Sequence, residues 1–324
     1  MTIVLGHKSA LEVLRLAGAG FLSLGTRTYS RLPADVTANE GELRARFEDR
    51  AWLGELSRPV SVLVDSVGKR RNSDVLLCRQ WGSVHDGLSG SFASVAPGVL
   101  VSLPPACLLQ LSRDVPEVRL AAIAAELCGG YSATRGGDGF RGPGLQWNRG
   151  RLVRYLEGCN GIHGAGALRR VLPFVPEGLA SPMEAAVVLL LCLPSALGGY
   201  GLPVPLSNHR LEVAGDLRRV AGRRQIVPDL LWPERRVVVE YDSDQNHTGP
   251  ECIASDARRR TALLGMGYEV VTLTRGQVYG TAEFDRVAKL LARLLGKRVV
   301  TTRADFPERQ GKSRYLLLGS SWWG

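Results

Sequence analysis

Residues 227–247 read VPDLLWPERRVVVEYDSDQNH, and this stretch limits the possible folds of the chain most sharply. Three consecutive valines, Val237 to Val239, have the composition of a buried strand, and a buried strand seldom ends in acid without a reason. Here Glu240, Asp242 and Asp244 follow it, Asp229 precedes it, and His247 lies just beyond. The run RQIVPDLLW also reads as a strand, with Trp232 to Arg235 as the connecting turn. Alternation along VVVEYD puts Val238, Glu240 and Asp242 on one face of a sheet, and a tight turn brings Asp229 beside Glu240.

The neighbouring segments place this pair in an α/β unit. SPMEAAVVLLLCLP carries Ser181 as N-cap, Pro182 at the first helical position and Glu184 at the third, a capping box, and is apolar on nearly every face. RLEVAG reads as a short strand, CIASDARRRTALLGMG as a helix with a glycine stop, YEVVTLT as a strand and AEFDRVAKLLARLLGKR as an amphipathic helix. The order from Ser181 is helix, three strands, helix, strand, helix, which predicts a central mixed sheet flanked by helices. The tail from 299 ends in RYLLLGSSWWG, an apolar docking segment by composition.

The first half has a different texture. Residues 1–57 read as helical pieces; VSVLVD, DVLLCRQW and GVLVSL read as strands; and PPACLLQLSRDVPEVRLAAIAAELCG reads as two helices closed by Gly129–Gly130. GGYSATRGGDGFRGPG is a loop lacking both GxxxxGK(S/T) and GxGxxG. NRGRLVRYLEGCNGIHGAGALRRVLPFV adds two more helices. The expected organisation is an α+β N-terminal domain over 1–178, an α/β domain over 179–298 and a tail over 299–324.

Composition narrows the class. A chain of 324 residues, 45% hydrophobic and 22% charged, can bury two cores. The net charge is +10, and only five of 41 basic residues are lysine. Such a balance suits a polyanionic partner such as nucleic acid, or simply a solvated arginine-rich surface. Six cysteines without a CxxC pair read as buried free thiols in a reducing compartment. The N-terminus is broken by Lys8, Glu12 and Arg15, and the longest apolar run, Ala185 to Leu193, falls short of the ~20 residues of a membrane span. The expected location is the cytoplasm, with no membrane partner.

Two converging carboxylates repel each other unless they are protonated, paired with arginine or bridged by a cation. Mg²⁺ takes one or two carboxylates and completes its shell with water and phosphate, so Asp229 and Glu240 suggest a metal-assisted phosphodiester site. At this point the residues carry a resemblance. PDLLW…VVVEYD resembles the PD-(D/E)xK nuclease signature. VVVEYDSDQNH…DARRRTALLGMGYEVVTLT is similar to the endonuclease-like domains related to the very-short-patch mismatch repair enzyme, the domain-of-unknown-function 559 type. That pattern runs acid-x-Asp-Gly-x-x-His, an Asp-x-x-Arg helix, then Gly-Tyr and a last strand, and the likeness spans roughly residues 181–295. SLPPACLLQLS…AAELCGGY…SPMEAAVVLLLCLPSALGGYGLP resembles, more faintly, proteins joining this domain to a region like abortive-infection antitoxins.

The resemblance implies a restriction-endonuclease-like fold and a Mg²⁺-dependent (or Mn²⁺-dependent) endonuclease, DNA favoured over RNA. Asp229, Glu240, Asp242 and His247 would be catalytic, and Glu184 would join Asp229 and Glu240 on the metal. The signature lysine is replaced by Asp242, and the subfamily's following glycine by Ser243. His247 is then the nearest group to orient water. Each residue also has a plainer reading: Glu184 as a helix cap, Glu240 as a strand-end partner of Arg235 or Arg236, His247 as a surface histidine. Arg258, Arg259 and Arg260 read as a phosphate track, or Arg260 as an i,i+4 partner of Asp256. The rival function is a catalytically degenerate fold acting as a nucleic-acid-binding or antitoxin-like regulator, with the N-terminal region engaging a protein partner.

Overall fold

The computed structural model describes every residue except 49–50, 83–84, 86–87, 135–138, 243–249, 300, 302–303 and 320–324. The expected His247, with Ser243 and Asp244, therefore lies outside the described residues. The chain is mixed α/β and divides into two compact units, Met1–Val175 and Pro176–Trp322.

The first unit is built on a six-stranded mixed sheet. Its elements are β1 (Ile3–Leu5), α1 (His7–Gly18), β2 (Thr28–Tyr29), α2 (Glu40–Glu48), α3 (Ala51–Gly54), β3 (Val60–Val64), β4 (Leu76–Gln80), β5 (Phe92–Ala96) and β6 (Val99–Ser102). There follow α4 (Pro104–Leu111), α5 (Glu117–Cys128), the small hairpin β7 (Ser132–Ala133) and β8 (Phe140–Arg141), α6 (Arg149–Glu157) and α7 (Ala165–Val171). The strand order is β2-β5-β6-β1-β3-β4, with β1 parallel to β6 and antiparallel to β3. This corrects the helical reading of residues 1–57. Ile3 to Leu5 form an interior strand, because a three-residue apolar run has no periodicity of its own and takes its state from the strands on either side. Next to β1, the backbone N–H of His7 donates to Gln110 Oε1 at 2.7 Å, and its ring Nδ1 lies 2.6 Å from Asp114 Oδ2. Burial holds the His7 imidazole below its ordinary pKa.

The second unit opens with α8 (Pro182–Cys192), followed by β9 (Leu206–Ser207), β10 (Leu211–Glu212), α9 (Leu217–Ala221), β11 (Gln225–Ile226), β12 (Leu230–Trp232) and β13 (Val237–Asp242). It closes with α10 (Pro250–Gly265), β14 (Glu269–Thr274), α11 (Arg275–Tyr279), α12 (Thr281–Leu294) and α13 (Phe306–Leu318). The four-stranded sheet runs β14-β13-β12-β9, with β13 parallel to β14 and antiparallel to β12. One face is covered by α9 and α10: Leu231, Val238, Ala221, Ala262 and Leu263 form one buried cluster, with Val270 packed against it.

RQIVPDLLW is two strands rather than one. Gln225–Ile226 pairs with Leu211–Glu212 in a separate ribbon, and Leu230–Trp232 alone joins the main sheet. Pro228 lies between them; without an N–H it cannot continue a ladder. The tail carries α13, whose Ser313 donates to Leu197 O at 2.6 Å and whose Arg314 donates to Val278 O at 2.5 Å. Among the described residues no helix is long and apolar enough to cross a membrane, and the five cysteines with described side chains are free and buried.

Candidate functional site

The carboxylates meet at the end of the β12–β13 ladder. Leu230 pairs with Val239 and Leu231 with Val238, so the next step outward sets Asp229 opposite Glu240. Asp229 Oδ2 accepts the backbone N–H of Tyr241 at 2.7 Å, which fixes that carboxylate to the neighbouring strand. Glu240 lies on the same face as Val238, as alternation requires, and so points at α10. On that helix Ala262 and Leu263 pack against Val238, and one turn earlier Arg259 reaches Glu240. Arg259 Nη2 donates to Glu240 Oε2 and to Val227 O, both at 2.6 Å. The two side chains are only 24% and 20% exposed. Glu240 Oε1 and Arg259 Nε are both buried and have no hydrogen-bond partner among the described residues.

Glu184 approaches from α8 and performs the capping role. Its backbone N–H donates to Ser181 Oγ at 3.2 Å, while its Oε1 accepts the Ser181 hydroxyl at 2.8 Å and its Oε2 accepts Ala180 N–H at 2.9 Å. Asn208 Nδ2 adds a fourth contact, 2.8 Å to Oε2. Both Glu184 oxygens thus accept hydrogen bonds from the cap and from Asn208, the contacts its plainer reading as a helix cap calls for. Among the described residues no three of His, Cys, Asp or Glu are grouped to hold a metal ion. Two carboxylates, Asp229 and Glu240, with one uncommitted buried oxygen, still fit the modest protein share of a Mg²⁺ shell.

Asn208 was not foreseen. Its backbone N–H donates to Asp229 O at 3.0 Å while its side chain holds Glu184 and Gly178 O, so one residue ties α8 to the strand bearing Asp229. Its φ of 49° is left-handed, a conformation Asn tolerates better than most residues. An Asn at the end of the loop-like stretch GGYGLPVPLSN is the signal available in the sequence.

The electrostatics follow from burial. Glu240 is pushed up to about 7, first by loss of solvent, with Asp229 and Asp256 adding to the rise and Arg259 opposing it. Asp229 is raised by burial, opposed by the Tyr241 N–H and Arg259. Glu184 is raised by burial and by Asp229. Three acids that resist ionisation therefore lie near one another, and among the described residues Arg259 is bonded to one of them, Glu240.

The other expected residues are dispersed. Asp242 ends β13 opposite Thr274. Arg258 is exposed, and Arg260 donates to Thr272 Oγ1 at 2.8 Å and to Val270 O at 3.4 Å on β14. The three arginines thus face different surroundings and do not line one track. Trp232 is a packing residue, its indole N–H donating to Pro203 O at 2.8 Å.

The cap yields a direct test. Ser181→Ala is expected to destabilise the second unit by about 1 kcal/mol, measured by chemical denaturation. An unchanged midpoint would show that the Ser181 hydroxyl contributes nothing to the cap.

No family model matches the chain, and no solved structure matches it. It is similar to two curated Mycobacterium tuberculosis proteins, uncharacterized protein MT2308 of strain CDC 1551 and uncharacterized protein Rv2248 of strain H37Rv. Each is 29% identical over 138 residues, covering 42% of this chain and 45% of the relative. The chain thus spans about half the length of the curated relatives it matches.

Proposed function

We propose that the second unit is a restriction-endonuclease-like domain that hydrolyses nucleic-acid phosphodiesters, with DNA favoured over RNA, using a divalent cation held by Asp229 and Glu240. The carrying observation is the pair of half-buried carboxylates on adjacent strand ends, one of which keeps a buried oxygen without a hydrogen bond among the described residues. The order helix, strands, helix, strand around a mixed sheet agrees with that fold. A bound Mg²⁺ or Mn²⁺ would polarise the phosphate and lower the pKa of a bound water. Asp229 holds its place through the Tyr241 N–H, α10 closes one side of the site, and the exposed Arg258 is available to a phosphate backbone. His247 is assigned to orienting the attacking water, and Asp242 to the open end of the same face.

A second reading has its own support. Arg259 already neutralises Glu240, and Asp242 replaces the signature lysine, as expected of a fold retained for binding or regulation without chemistry. Cleavage assays on duplex DNA, single-stranded DNA and RNA with Mg²⁺ or Mn²⁺, beside Mn²⁺ calorimetry, separate the two. The enzyme reading expects Mn²⁺ binding that Asp229→Asn abolishes, and cleavage slowed roughly 10²–10⁴-fold by His247→Ala with nucleic-acid binding retained. Tight binding of nucleic acid by wild type with no cleavage of any substrate selects the regulatory reading.

A further inference from the structure

The Glu240–Arg259 pair is half used. A guanidinium and a carboxylate normally join through two parallel hydrogen bonds. Here the carboxylate contributes Oε2 alone, and the guanidinium spends Nη2 on both Oε2 and Val227 O. Glu240 Oε1 and Arg259 Nε stay buried and find no hydrogen-bond partner among the described residues. Each unmade bond leaves a strong group waiting, since a desolvated charged atom without a partner is costly. The vacant oxygen suits a second cation; the vacant N–H suits a second anion. Position 242, where the family signature has its lysine, supplies an acid instead.

Resting on the nuclease reading above, we propose that Arg259 is an internal counter-cation that competes with the divalent metal for Glu240 and, once displaced, turns its guanidinium to the phosphodiester. Arg259 is suited to this because its backbone is anchored. The helix it rises from is packed through Ala262 and Leu263 on Val238, so only the side chain need move. Its fork can meet two oxygens of a phosphate, which a lysine cannot do. A structural ion pair on the same residues would gain most by making both bonds.

Calorimetry with Mn²⁺ on the full chain tests the competition in wild type, Arg259→Gln, Arg259→Lys and Asp229→Asn. Arg259→Gln is expected to bind Mn²⁺ roughly tenfold tighter than wild type, the factor one charge-assisted hydrogen bond is worth at its low end. Arg259→Lys, which keeps the charge, should stay near wild type. With Mn²⁺ saturating, Arg259→Gln should nonetheless cleave more slowly than wild type. Equal Mn²⁺ affinity in wild type and Arg259→Gln, with binding lost in Asp229→Asn, overturns the competition and leaves the metal site intact. Lysine behaving like glutamine also overturns it. No Mn²⁺ binding by any of the four removes the nuclease reading as well. Should Arg259→Gln fail to fold, Mg²⁺ titration of wild type, followed by the side-chain ¹⁵N–H resonances of Arg259, decides the matter. Resonances that shift as Mg²⁺ is added support displacement, and unmoved resonances refute it.

Discussion

Glu240→Gln is expected to stabilise the second unit above pH 7 while removing the cleavage activity proposed for that unit. The Glu240 carboxyl is held at about 7 in the folded chain against an ordinary 4.5, chiefly because burial disfavours its charge. A folded-state pKa above the unfolded value means the folded state binds the extra proton between 4.5 and about 7. Stability from this group is therefore complete below pH 4.5 and is lost as pH rises to about 7, a loss of up to ~3 kcal/mol. Glutamine keeps the shape and cannot ionise, so denaturation at pH 8 should show most of that amount regained, less whatever Arg259 loses with its partner. Below pH 4.5 wild type and variant should converge. Activity should fall at least ~10²-fold, because even outer-shell partners of a metal typically cost 10–100-fold when removed. A variant whose stability follows pH as the wild type's does would show that Glu240 is not the buried titrating acid.

The second large effect is expected in the first unit. Arg15 and Glu126 form a bidentate pair, Nε to Oε1 at 2.8 Å and Nη2 to Oε2 at 2.9 Å, with side chains 13% and 1% exposed. Glu126 Oε1 also accepts Ala133 N–H at 3.0 Å, so the pair joins α1, α5 and β7. Glu126→Ala removes the bidentate carboxylate from the buried Arg15 guanidinium and should cost about 3–5 kcal/mol. Replacing both, as Arg15→Met with Glu126→Leu, should cost much less, because neither charge then needs solvation. Hydrogen exchange of the first unit's backbone amides follows this unit separately from the second. A double replacement as damaging as Glu126→Ala would mean that the lost Ala133 contact and packing, rather than the lost bidentate ion pair, set the cost.

The contrast between these two pairs shows where sequence reasoning reaches. Ser181 and Glu184 are three residues apart, so the cap follows from helix geometry and was legible at once. Val238 and Glu240 are two apart, so their common face follows from the pleat. Asp229 beside Glu240 needs only a short turn between paired strands. All three depend on spacings that the backbone itself enforces.

Other features depend on contacts the chain makes only after folding. Arg15 meets Glu126 across 111 positions, and Ile3 to Leu5 are a strand because β6 and β3 flank them. Arg259, read as one of three equivalent phosphate arginines, is singled out by the rotation of α10, which its packing on Val238 sets. Glu184 also receives Asn208, from a loop 24 residues on, a contact that the local cap spacing does not announce. The sequence by itself determined the local periodicities, the cap and the acids' shared face, because short-range geometry allows few alternatives. The tertiary structure alone decided which charges meet, because a partner's identity depends on strand register and helix rotation, which the whole core sets together.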